Sequence, residues 1–155
     1  MRTVTKFCLL LIVLALTPPG FAGQDPKLDA IKARQGEMQL RAFNAGPLFA
    51  MAKGDMAYDA ALASKLAGNL KLLLDLDNGR AWMKGTDNEA YAGKTTTLPK
   101  LWTTYPEIGE YGKKYGSAVN ELAAVAANGA DALKSKIGAL GKACKGCHDE
   151  FREKK

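Results

Sequence analysis

Leu133, Ile137, Leu140, Cys144, Cys147 and Phe151 recur at steps of four, three, four, three and four, tracing one face of an α-helix. This stripe constrains the fold more than any other feature, because it commits residues 133–151 to a helix whose apolar face must be buried against other elements. A second stripe of similar period runs through Ile108, Tyr111, Tyr115, Val119, Leu122 and Val125. Almost no period-two alternation is available from which to build a sheet. The remaining helices must therefore supply the partners.

Two further helical segments complete the set. The first runs from about Pro26 to near Met51, closed by "KGD" at 53–55, with Leu28, Ile31, Met38, Ala42, Ala45 and Phe49 on its stripe. Gln35 interrupts that stripe, and Pro47 is expected to bend the last turn without ending the helix. "YDAALASKLAGNLKLLLDLDNG" gives the second, with Asp59 suited to its start and "DNG" at 77–79 to its end. Residues 79–98 read as a long irregular connection, of the kind that covers or builds a site. The third helix opens at Pro99 or, after a kink, at Pro106; the fourth follows "NGAD" at 128–131, with Asp131 as its cap. Four amphipathic helices with a longer central connection predict an all-α, antiparallel up-down-up-down four-helix bundle.

The N-terminus stands apart from this pattern. Arg2 and Lys6 precede the ten-residue apolar run "FCLLLIVLAL", and "TPPGFAG" has the small residues of a cleavage site. Residues 1–22 are expected to be a cleaved signal peptide that carries Cys8 away, leaving one domain over 23–155. The run is about half of the ~20 residues that cross a bilayer, so no stable membrane insertion is expected after cleavage. The chain is then exported, and the periplasm is the expected location.

Of the 22 Lys and Arg, two lie in the leader, which leaves 20 against 16 Asp and Glu, a net charge of +4. Acids are interspersed almost everywhere. No nucleic acid is expected as a partner, since that would need cations clustered on one face.

After cleavage the chemistry concentrates in "ACKGCHDEFREKK", where Cys144, Cys147 and the only histidine, His148, fall within five residues. As a disulfide the pair would close too small a loop to add much stability. A zinc site would need further ligands that the spacing does not supply. A thiol-disulfide exchange site prefers its Cys-x-x-Cys at a helix N-terminus, where the dipole lowers the thiol pKa; here the pair lies deep in the last helix. The third reading is covalent haem attachment, for which C-x-x-C-H is the spacing. Two thioethers would hold the macrocycle edge while the imidazole of His148 reaches the iron. No second histidine exists for the opposite face. Met38 is the methionine placed well inside a helix, and its two readings, sixth ligand or packing beside an open iron, stay open at this point.

Those residues, with "ARQGEM", "GPLFAMAKGDMAYDAA", "LPKLW" and "CKGCHDEFR" in this order, resemble the class II c-type cytochromes, the cytochrome c prime family, over nearly the whole mature chain. The resemblance implies a four-helix bundle with one covalently attached haem c. It lends Arg34 and Gln35 a place near the haem propionates, Met38 the distal position, Thr96 a loop contact with the haem, and Arg152 a place near the proximal face. It implies a non-enzymatic, periplasmic monohaem cytochrome that transfers one electron to redox partner proteins or binds small gases such as NO and CO. The five-coordinate high-spin form is favoured over a six-coordinate low-spin form with Met38 as ligand. A homodimer paired through the first two helices is also implied. From other classes, a peroxidase-like haem enzyme and a thiol oxidoreductase remain as rivals, the former disfavoured because no second histidine can act as a distal acid-base group.

Overall fold

The computed structural model describes residues 25–104 and 106–154. The signal peptide expected at residues 1–22 lies outside the described residues. Five helices follow in order: α1 (Pro26–Lys53), α2 (Ala60–Leu72), α3 (Lys100–Thr103), α4 (Glu107–Val125) and α5 (Ala130–Phe151), with a 3-10 turn at Gly79–Trp82. The long helices α1, α2, α4 and α5 form the bundle, and α3 is a single turn. Contacts run α1 to α2, α2 to α4, α4 to α5 and α5 to α1. This ring of neighbours is the expected four-helix bundle.

Local chemistry sets most of the helix ends. Asp25 caps α1 by accepting from Lys27 N at 2.9 Å, and Pro26 occupies the first helical position, where no N–H is missed. Gly54, at φ 86°, ends α1 in the left-handed conformation, its N–H turned back to Ala50 and Met51. Pro47 stays inside the helix, as expected. Asp59 caps α2 through Leu62 N at 3.0 Å. Pro99 precedes α3 and Pro106 precedes α4, so both prolines of the predicted fork mark starts, one of a single turn and the other of the true third helix.

Two boundaries differ from expectation. α2 ends at Leu72 rather than at the "DNG" of 77–79. A continued helix would have little to bury at Leu72 and Leu76, which are 66% and 54% exposed, whereas Leu74 still packs on the core after the helix has ended. Asn78 instead donates to the Glu37 carboxylate on α1, which fixes the chain in a turn. Asp131 is not the cap of α5. Gly129, at φ 114°, holds that position, and Asp131 lies in the first turn, where its charge still favours the helix dipole.

The core occupies one end of the bundle. Leu48 and Met51 of α1, Ala63 to Leu70 of α2, Tyr115 to Leu122 of α4 and Leu133 to Leu140 of α5 pack there as one cluster. Tyr58 ties this end together: its hydroxyl donates to Ala126 O and accepts from Gly129 N, each at 2.9 Å. The predicted α1 stripe faces inward, but the helix buries a wider face than the stripe alone. Ala30, Ile31, Arg34, Glu37, Asn44, Leu48 and Met51 are the buried residues, whereas Ala42 is exposed and Met38, Ala45 and Phe49 are half-buried. Three polar side chains on the buried face hid it from a hydrophobicity reading. At ~1.5 Å per residue, α2 spans about 20 Å and α1 about 42 Å. The far end of the bundle therefore has three long helices, and the connection after α2, through its Gly79–Trp82 turn, packs on α1 in place of the fourth.

Leu133 is fully buried where α5 meets this core. Leu133→Ala is expected to lower unfolding stability by about 2–5 kcal/mol, measured by denaturant titration followed by circular dichroism.

Candidate functional site

At the open end, α1 and α5 run side by side, and the helical steps of three and four bring Cys144, Cys147 and His148 to one side of α5. A cavity of two adjoining lobes, about 600 and 410 Å³, lies against them. Cys147, His148, Met38, Ala42 and Trp82 border both lobes. Each lobe lies within the ~300–1,000 Å³ usual for cofactor clefts. The Tyr111 and Phe151 rings, which border the smaller and larger lobes respectively, meet at 5.3 Å between centroids with their planes near perpendicular.

The larger lobe is walled by the central connection, and one arginine holds that wall. Arg34 is 3% exposed; its Nη1 donates to Ala81 O at 2.8 Å and Thr86 Oγ1 at 3.1 Å, and its Nη2 to Thr86 O at 3.0 Å and Thr95 Oγ1 at 3.4 Å. Its guanidinium also lies 5.3 Å from the Trp82 ring and 5.8 Å from the Trp102 ring, and Trp102 Nε1 bonds Trp82 O at 2.9 Å. Burial depresses the Arg34 pKa from its ordinary value. Among the described residues no carboxylate pairs with it. A buried cation bordering an apolar cavity suits a ligand that is largely apolar and carries anionic groups.

The other residues singled out from the sequence converge here as well. Gln35 donates to Lys94 O at 2.7 Å and borders the larger lobe beside Thr96 and Arg152. Thr96 O accepts from Glu153 N at 2.8 Å, Leu98 N donates to Phe151 O at 2.9 Å, and Thr97 and Arg152 form an isolated antiparallel bridge. These few bonds dock the connection onto the end of α5 and bring Thr96 beside Arg152. Met38 faces the cavity from α1, across from the α5 residues.

Electrostatics separate the readings of the cysteines. Burial pushes both thiols above their ordinary range, against a smaller opposing pull from Arg41. A reactive exchange thiol needs the reverse shift. Burial, helped by Arg152, lowers the His148 pKa, which favours the neutral imidazole that an iron atom requires. Among the described residues no cluster of three or more Cys, His, Asp or Glu converges as a cation cage. Two thiols, one neutral imidazole, apolar walls and a buried cation fit an amphiphilic macrocycle attached through sulfur.

Sequence reasoning missed four participants. Trp82 borders both lobes and Trp102 stacks behind Arg34; the signal was two rare aromatics in or beside the long connection. Glu37 and Arg41, four apart on α1, form a largely buried ion pair. Arg41 lies 4.4 Å over the Tyr115 ring and borders the smaller lobe.

Comparison with known proteins agrees with this arrangement. A family model described as Cytochrome C' matches residues 29–152. A relative named cytochrome c', from Cereibacter sphaeroides, is 34% identical over 147 residues, covering 95% of this chain and 97% of its own. A solved cytochrome c' from Rhodobacter sphaeroides superposes with a TM-score of 0.81 at 35% identity, covering 85% of this chain and 100% of its own. A ferrous variant of the Alcaligenes xylosoxidans cytochrome c' with nitric oxide bound superposes at 0.72 with 30% identity, covering 86% and 99%.

Arg34→Met keeps the stem and removes the four donated bonds. It is expected to cost about 2–4 kcal/mol and to speed amide hydrogen exchange selectively across residues 79–97, as read by mass spectrometry.

Proposed function

The chain belongs to the cytochrome c' family, whose members carry covalently bound haem c, and on that premise we propose that it is a periplasmic carrier of one electron that also binds small gases. The observation that carries this reading is the meeting of both thiols, the only histidine and Met38 at one apolar cavity. Cys144 and Cys147 hold the cofactor by two thioethers, and His148 presents its neutral imidazole to the iron. The haem supplies the reversible iron couple and the site at which a diatomic gas coordinates.

The protein's own residues do the remaining work. Met38, with Ala45 and Phe49 along the same helix, keeps water from the side opposite α5 and leaves that side open only to small neutral ligands. Arg34 supplies the buried positive charge that meets the carboxylates of the cofactor, with Gln35 and Thr96 beside it. Arg152 borders the His148 side. No proton-transferring group is assigned, and the role is binding and electron exchange rather than catalysis. The predicted leader supports export to the periplasm, where the electron would pass to and from redox partner proteins.

The competing arrangement places the Met38 sulfur on the iron, giving a low-spin electron carrier closed to gases. Absorption spectra of the oxidised and reduced protein, with and without carbon monoxide, decide between them. The open form is expected to give high-spin spectra and a new spectrum on adding carbon monoxide to the reduced protein. An unchanged spectrum and no carbon monoxide binding would establish Met38 ligation.

Pairing of two copies through α1 and α2 is supported by the apolar side chains those helices leave uncovered: Phe43 is 76% exposed, Leu72 66% and Leu40 51%. Burying such side chains is worth about 1.5–3 kcal/mol each. Phe43→Glu is expected to shift the molecule from dimer to monomer in sedimentation velocity runs, with the haem spectrum unchanged.

A further inference from the structure

Arg41 borders the smaller lobe and belongs to a charged pair with no part in the reading above. Glu37 and Arg41 lie one turn apart on α1, with side chains 7% and 24% exposed. The Glu37 carboxylate is held from two sides: Oε1 accepts from Arg41 Nη2, and Oε2 accepts from Asn78 Nδ2 at the start of the central connection. Glu37 is thereby fixed toward the connection. Arg41 extends the other way, lies 4.4 Å over the buried Tyr115 ring, and borders the lobe that Cys144 and Cys147 also line. Arg41 thus shares that lobe with both thiols, whereas Glu37 borders neither lobe. The pair is therefore a dipole with its positive end toward the cysteines.

Among the described residues Nη1 of Arg41 donates no hydrogen bond, and its buried Nε has no partner. For an ion pair serving stability alone this is a poor arrangement, because a buried charge is worth its desolvation only when its remaining donors are satisfied. The stacking on Tyr115 holds the guanidinium plane in place. Limited exposure also keeps water from screening its charge, unlike the surface pairs of Lys113 with Glu110 or Lys136 with Glu121.

We propose that the Glu37–Arg41 pair sets the reduction potential of the haem, with Arg41 as the cation presented to the thioether-bearing edge and Glu37 as the residue that holds and partly neutralises it. The reading rests on haem attachment at Cys144 and Cys147. Oxidation leaves the iron centre one unit more positive, so a fixed cation nearby disfavours the oxidised state and raises the potential. Removing Arg41 must lower the potential. Removing the charge of Glu37 must raise it, because the guanidinium is then uncompensated. A unit charge about 10 Å away at an effective dielectric constant of ~20 shifts such an equilibrium by about tenfold.

The test is redox titration of the haem-bearing protein, followed by its visible spectrum, for Arg41→Met, Arg41→Lys and Glu37→Gln. Arg41→Met is expected to disfavour the reduced form about tenfold, a fall of about 59 mV for one electron. Glu37→Gln should move the potential upward, and Arg41→Lys should stay within about twofold of the parent. Opposite signs are the signature, since a merely structural disturbance of one buried pair would move both neutral variants the same way. Shifts of the same sign, or of less than twofold in both, would overturn the proposal. If Arg41→Met does not accumulate with haem, the sign for Glu37→Gln decides alone: a rise supports the proposal and a fall refutes it. Loss of the attachment reading would look different, as a parent protein whose mass shows two free thiols and no bound haem.

Discussion

The buried guanidinium of Arg34 is the contact on which the open end of the molecule depends. It joins α1 to Ala81, Thr86 and Thr95 of the central connection and stacks near both tryptophans. The fourth long helix does not extend to this end, so that connection is the wall that separates the cavity from solvent. Four hydrogen bonds from one side chain order a segment that has little regular structure of its own. A cation placed there is costly to desolvate, and the arrangement makes sense when anionic groups arrive with the cofactor.

The bundle thus divides its labour along its length. At one end all four helices close over Leu48, Leu70, Leu122, Leu133 and Leu140, each essentially inaccessible to solvent, and this packing supplies the cooperativity of the fold. At the other end α5 delivers Cys144, Cys147 and His148, α1 delivers Met38 and Arg41, and the connection delivers Trp82 and Thr95 to Thr97. The helices at the open end are continuous with those of the packed end. Their side chains are therefore held by rigid elements, which suits a site that must keep its geometry through changes of charge at the iron.

Charge is distributed with similar economy. Arg34, Arg41 and Arg152 all border the cavity, whereas Glu37, paired with Arg41, borders neither lobe. Neither Asp149 nor Glu150 faces His148 as an ion-pair partner, because Lys145 and Lys100 take them. Burial and Arg152 outweigh the opposing pull of Asp149 on the imidazole and favour its neutral form. A c-type haem bound here would sit among cations, and its electronic properties would follow from which of those charges the protein neutralises.

Much of this was legible in the chain. The stripe from Leu133 to Phe151 determined the helix that carries the thiols, the C-x-x-C-H spacing determined that they and His148 share a side, and Asp59, Pro106 and Gly54 marked helix boundaries through local backbone chemistry. Those signals survive because they operate within a few residues. The buried face of α1 was not legible, since Arg34, Glu37 and Asn44 look like surface residues until their partners are known. Those partners lie far away in sequence: Arg34 reaches across 47 residues to Ala81 and 61 to Thr95, and Asn78 meets Glu37 across 41. The end of α2 at Leu72 was decided the same way, by the distant hydrogen bond of Asn78 to Glu37 rather than by helix propensity. The sequence by itself determined that Cys144, Cys147 and His148 share one side of the last helix and which helices make up the bundle. Only the tertiary structure decided which charges border the cavity and which residue holds its wall, because a buried charge is stable only beside partners that folding brings together.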